Sequence, residues 1–96
     1  MIGSFRDVAL ETFYFDGPGH RTRKIPKELH GVLRRKLDQL YNAVHINDLR
    51  APPGNRLEAL KGRLAGWHSI RVNDRWRIVF RWRADAAYDV SLTDYH

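Results

Sequence analysis

The sequence closes on Asp94-Tyr95-His96, three side chains that can move protons, accept hydrogen bonds and stack on a flat ring. Histidine titrates near neutrality and can serve as general base or general acid. Tyrosine can hydrogen-bond to a nucleobase or stack on it. Cleavage of RNA through its own ribose 2′-hydroxyl needs three services. A base takes the 2′ proton, positive charge stabilises the crowded phosphorane, and an acid protonates the leaving 5′-oxygen. Arginine supplies the charge well, because its planar fork grips phosphate oxygens in pairs. Of 17 basic residues, 13 are arginine and four are lysine, and the formal net charge is +6. That balance points to a polyanionic partner, nucleic acid first. None of the three services requires a metal, the chain has no convincing ligand set, and no cofactor is expected.

The remaining titratable side chains are more equivocal. Glu58 precedes the Lys61-Gly62 turn and is either a base or an ion-pair partner of a nearby arginine. His20 reads as a loop residue, and His30 and His45 lie on or beside a helix. His68 neighbours Trp67 and alternates with core positions, which suits a packed imidazole better than a ligand. There is no cysteine, so disulfides, thiolate zinc sites and a cysteine nucleophile are excluded. No apolar run approaches the roughly 20 residues of a membrane helix, and the first residues lack the layout of a signal peptide. The expectation is a cytoplasmic protein without membrane contact, folded as one domain over residues 1–96.

Two periodicities divide the chain. In the first half, Ile2–Phe5 suits a short strand. Asp7 is placed to cap a helix running to Phe15, with Val8, Leu10, Phe13 and Tyr14 as its apolar residues. Asp16-Gly17-Pro18-Gly19 stops it. A second helix runs from Pro26 to Val44, where Leu29, Leu33, Leu37, Leu40, Tyr41 and Val44 form one stripe and Arg34, Arg35 and Lys36 ride beside or opposite it. Residues 47–55 read as a loop. The second half alternates as strands do: Leu57–Leu60, Trp67–Asn73, Arg75–Arg83 and Ala87–Thr93, with turns at Gly62–Gly66, Asn73-Asp74 and Ala84–Ala86.

Alternation assigns faces. Ile70, Val72, Trp76, Ile78, Phe80, Trp82, Tyr88, Val90 and Leu92 form an oily face that the helices cover. Ser69, Arg71, Asn73, Arg77, Val79, Arg81, Arg83, Asp89, Ser91 and Thr93 form the other. Trp67 belongs to that second face, where it either touches RNA or packs at an edge. The expected architecture is α+β, two N-terminal helices on one face of a mostly antiparallel sheet of about four to five strands. Arg71, Arg77 and Arg81, with Lys61 and Arg63 in the preceding turn, offer a basic surface for a phosphate backbone. The tail lies at its rim.

A family resemblance rests on these same residues. The run Pro52-Pro53-Gly54-Asn55-Arg56-Leu57-Glu58-Ala59-Leu60-Lys61-Gly62 resembles a segment of the HigB-type toxins, or plasmid maintenance killer proteins, of the RelE-like superfamily. The similarity resumes over His68–Asp74 and Trp76–Phe80, ends at Asp94-Tyr95-His96, and includes the opening Met1–Phe5. It implies the RelE-like fold and a toxin of a type II toxin–antitoxin pair that cleaves messenger RNA on the translating 70S ribosome without metal. It implies a HigA-like antitoxin with a helix-turn-helix domain that represses the operon, so that operator DNA is met only through the antitoxin. The site residues it implies are Asp94, Tyr95 and His96, with Arg77 as phosphate clamp. Some HigB members carry a histidine where this chain has Glu58. The glutamate is similar to GraT-like members, and the identity of the general base stays open. Gly62-Arg63-Leu64-Ala65-Gly66 departs from the acidic–basic pair more familiar after that glycine. The competing expectation is a non-catalytic RNA- or ribosome-binding module that affects ribosome assembly, or a protein acting mainly as the antitoxin's partner.

Overall fold

The computed structural model describes residues 1–94. Helices α1 (Val8–Asp16) and α2 (His30–Asn42) pack on one face of a sheet of β1 (Glu58–Ala59), β2 (Trp67–Arg71), β3 (Trp76–Arg83) and β4 (Ala86–Asp94). The strands lie in chain order and every pairing is antiparallel. Residues 2–6 run parallel beside β4, bridged at Ile2–Ala87 and Phe5–Val90, and so shield its outer edge.

Local chemistry explains the helices. The Asp7 carboxylate accepts the Leu10 N–H at 3.1 Å and caps α1. Gly17, at φ +83°, ends it where a side chain would be strained. Ala9, Leu10 and Phe13 enter the core. Val8, expected among them, is 72% exposed, because it lies nearly opposite the Leu10–Phe13 stripe on the helix surface. A 3₁₀ turn, Lys27–Leu29, precedes α2, which starts later than the Pro26 signal suggests and ends at Asn42. Leu29, Leu33, Leu37 and Leu40 form its buried stripe, while Tyr41 and Val44 lie outside the core. Against that stripe stand Ile70, Ile78, Phe80, Ala87 and Val90, with Trp76, Trp82 and Leu92 packed at the margin.

The segment expected as loop holds two 3₁₀ turns, Ile46–Arg50 and Pro53–Asn55. Asn55 is fully buried. Its Nδ2 donates to Gln39 Oε1 at 3.0 Å and to the Leu49 carbonyl at 3.1 Å, and its Oδ1 accepts from Lys36 Nζ. Lys36, expected beside or opposite the apolar stripe, is buried, and burial pushes its pKa down, with Arg35 and Arg71 adding to the shift.

β4 departs from simple alternation. Its register against β3 shifts between Val79 and Arg81: Val79 pairs with Ser91, but Arg81 pairs with Tyr88. One extra residue is inserted, and Asp89 takes a left-handed conformation at φ +53°. Ala87 and Val90 consequently share the helix side, and Tyr88 turns to the opposite face. The expectation that Tyr88 joins the core fails because a bulge inverts the phase of every residue before it.

Candidate active site

The second face of the sheet is not an open arginine field. Ser69 is fully buried, and Trp67, Val79 and Arg77 are 7%, 6% and 8% exposed. The Pro53–Asn55 turn packs against β2, and two arginines lie over the Trp67 ring.

Arg77 is held from several directions. Its Nε donates to Ser69 Oγ at 2.7 Å, and its Nη2 donates to the Arg56 carbonyl at 2.7 Å. Ser69 is the register neighbour of Val79 across β2 and β3, which puts its hydroxyl under the guanidinium. Arg56 follows the Pro53–Asn55 turn in a left-handed conformation, φ +44°, and this aims its carbonyl inward. The Asn55 network thus anchors the backbone that holds Arg77. The Arg77 Nη1 stands 3.5 Å from Glu58 Oε1, whose side chain is about half exposed at 56%. Arg56, Glu58, Arg71, Asn73, Asp74 and Arg77 line a cavity of about 260 Å³. A buried cation fixed by neutral acceptors behind it can hold an anion of matching geometry, for which the Glu58 carboxylate competes.

Asp94 ends β4 opposite Trp76, one residue beyond the Thr93–Arg77 pair. Its carboxylate is gripped by Arg75, with Nε 3.0 and 2.9 Å from the two oxygens and Nη2 2.7 Å from Oδ2. That hydrogen bonding, and then the charge of Asp94, raises the pKa of Arg75 above its already high value. The Arg75 guanidinium also lies 5.6 Å from the Trp76 ring. Tyr95 and His96 lie outside the described residues.

The expected RNA contacts separate into groups. Arg71 lines the Arg77 cavity and pairs with Asp74. Arg81 stands four residues further along β3 than Arg77, paired with Trp67, over whose ring its guanidinium lies, and 3.9 Å from Asp89. Lys61 and Arg63 are exposed on the turn between β1 and β2. His68, as expected, is half-buried and stacked on Phe80, with ring centroids 6.2 Å apart, and burial lowers its pKa. No group of three or more His, Asp or Glu side chains suited to a metal occurs among the described residues.

Ser69, Arg56 and Arg75 escape sequence reasoning. A serine, a backbone carbonyl and one arginine among thirteen carry no local signal; strand register and the turn before β1 reveal them. No helix among the described residues is long and apolar enough to cross a membrane.

Residues 3–96 match the model of a family described as the RelE-like toxin of type II toxin–antitoxin system HigB. The chain is 50% identical over 92 residues to Toxin HigB-1 of Vibrio cholerae serotype O1, covering 96% of this chain and 95% of that protein. It is 45% identical over 88 residues to an uncharacterized protein of Haemophilus influenzae, covering 92% and 85% of the two chains. A solved YoeB-YefM complex from Staphylococcus aureus contains a chain that superposes with a TM-score of 0.59 at 21% identity, covering 100% of this chain and 98% of that one, which shows a shared fold.

Proposed function

The chain belongs to the HigB family of RelE-like toxins of type II toxin–antitoxin systems, and on that premise we propose that it is a ribosome-dependent endoribonuclease that cuts messenger RNA and so stops translation. One observation carries the reading furthest. Arg77 is a buried guanidinium, fixed from behind by Ser69 and Arg56 and facing Glu58 across a cavity. Burying a charge is costly, and a cation added for solubility would lie in water.

In the reaction proposed, Arg77 holds the non-bridging oxygens of the scissile phosphate. Glu58 takes the proton from the 2′-hydroxyl. The 2′-oxygen forms a bond to phosphorus as the bond from phosphorus to the 5′-oxygen breaks. His96 gives its proton to that leaving oxygen. The products are a 2′,3′-cyclic phosphate and a 5′-hydroxyl, so atoms and charge balance without a metal. Asp94, clamped by Arg75, anchors the chain just before His96. Tyr95 stacks on a base next to the cut. Lys61, Arg63 and Arg71 neutralise flanking phosphates. The ribosome holds the messenger in the required conformation, and an antitoxin with a helix-turn-helix domain is the partner that silences the toxin and carries it to operator DNA.

The experiment is cleavage of a defined messenger with and without programmed 70S ribosomes. New 5′-hydroxyl ends are expected only with ribosomes and are lost in His96→Ala and Arg77→Ala. Tight, salt-sensitive ribosome binding without new ends would replace the enzyme with a binding module.

A further inference from the structure

A second set of side chains stands at the far end of the same face, on the other side of the bulge. The Arg81 guanidinium lies 4.5 Å from the Trp67 ring centroid, and Arg6 approaches the same ring at 5.9 Å. Arg83 lies 4.6 Å from the Tyr88 ring. Between these layers is a cavity of about 270 Å³, lined by Gly66, Arg81, Trp82, Arg83, Tyr88 and Asp89. Its construction uses unusual backbone. The bulge at Asp89 turns Tyr88 out of the core. Gly3 lets the Tyr88 ring lie against the N-terminal segment, since a Cβ there would overlap the ring. Gly66, at φ +93°, closes the rim.

We propose that this cavity is a nucleotide subsite for the same RNA strand, a few nucleotides from the phosphate at Arg77; the inference rests on the endoribonuclease reading above. A guanidinium held over the face of a ring is attracted by the ring's quadrupole and spends none of its N–H donors on the contact. Those donors remain available for phosphate oxygens. The outer face of the guanidinium is a platform on which a nucleobase stacks. Arg81 and Arg83 alternate along β3 and therefore present two such platforms side by side, about 7 Å apart. Arg77 and Arg81 are four residues apart on that strand, about 13 Å. A strand crossing from one to the other follows the face that the helices leave uncovered. Asp89, 3.9 Å from Arg81, adds an acceptor beside the stacked base.

The test is a length series of labelled single-stranded RNA oligonucleotides, two to eight nucleotides long, bound to full-length protein carrying His96→Ala so that the RNA is not consumed. Affinity should step up roughly tenfold once the oligonucleotide is long enough to reach the cavity, the lower range of what one stacked base contributes. The step should disappear in Arg83→Ala and in Tyr88→Leu, and shrink in Arg83→Lys, which keeps the charge and loses the plane. Affinity for the shortest oligonucleotides should not change. Thermal melts of each variant exclude simple unfolding, and Arg83→Lys, a surface change, keeps the test valid if Tyr88→Leu does not fold. Length series that stay parallel in the variants would overturn the subsite. So would variants that lose only antitoxin binding, which would reassign the arginines to an acidic protein segment. If the step behaves as expected while the wild type makes no cuts on ribosomes, the nuclease reading fails and the subsite stands.

Discussion

At the scale of single residues, a buried arginine is useful only if its direction is fixed. The Arg77 side chain has a fully buried serine hydroxyl at Nε and a strained backbone carbonyl at Nη2. Removing the first leaves a charged donor without its acceptor. We expect Ser69→Ala to lower stability by about 1–3 kcal/mol and to reduce the cleavage rate at saturating ribosomes about tenfold, with little change in half-saturation. A role confined to stability would leave the rate per folded molecule unchanged, so single-turnover cleavage normalised to folded protein separates the two. Glu58 offers the sharper test. As the base, its replacement in Glu58→Gln should slow cleavage by about 100-fold while RNA affinity stays within a few-fold. Cutting at the wild-type rate would leave Glu58 as nothing more than the partner of Arg77.

Among elements, the loop before β1 does more than connect. Residues 47–55 read as a loop, yet Asn55 ties α2 to the backbone that holds Arg77. Its Oδ1 accepts from the buried ammonium of Lys36. Asn55→Ala should therefore cost about 2–3 kcal/mol, because a charged donor stays behind without a partner. For a domain of this size that lowers the melting temperature by about 10 °C or more. The double variant Lys36→Met/Asn55→Leu should recover much of the loss, since replacing both partners with apolar groups removes the stranded charge. A double variant that melts as low as Asn55→Ala would argue against the pairing. The bulge in β4 is the other element-level device. It divides the second face into the Arg77 cavity at one end and the Tyr88 cavity at the other.

For the whole molecule, two groups bracket the pH range of greatest stability. Burial lowers the pKa of His68, so the folded state resists its protonation. That stability is complete above the unfolded value of about 6.5 and is lost as the pH falls below it. Burial, reinforced by the hydrogen bond to Asp38, pushes Tyr14 up to about 12. The folded state therefore resists its ionisation, and stability declines as the pH rises from the unfolded value of about 10 toward 12. Denaturant midpoints should show an acidic decline from His68 below about pH 6.5 and an alkaline decline from Tyr14 above about pH 10, and between them the lowered pKa values of Lys36 and the N-terminal ammonium make stability rise with pH. His68→Leu should flatten the acidic decline and Tyr14→Phe the alkaline one. An unchanged acidic decline in His68→Leu would assign it to other groups.

By itself the sequence determined the fold class, the two helices, the four strands and the helix-facing stripe of β3. Each follows from periodicities that act within a few residues: leucines at three and four, apolar residues at two, and glycine or proline between them. It also determined the cationic character of the molecule and the motif run that marks its family. Tertiary structure decided the rest. Whether Tyr88 faces the core depends on one inserted residue in β4, and insertion is visible only in the pairing with β3. Whether Arg77 lies in water or in a cradle depends on Ser69 from β2 and Arg56 from a turn far along the chain. Asp94 meets Arg75 because the β3–β4 register brings the strand ends together. These contacts join residues 8 to 21 positions apart, and no local pattern encodes them. The two cavities on the uncovered face are therefore products of register and of one bulge.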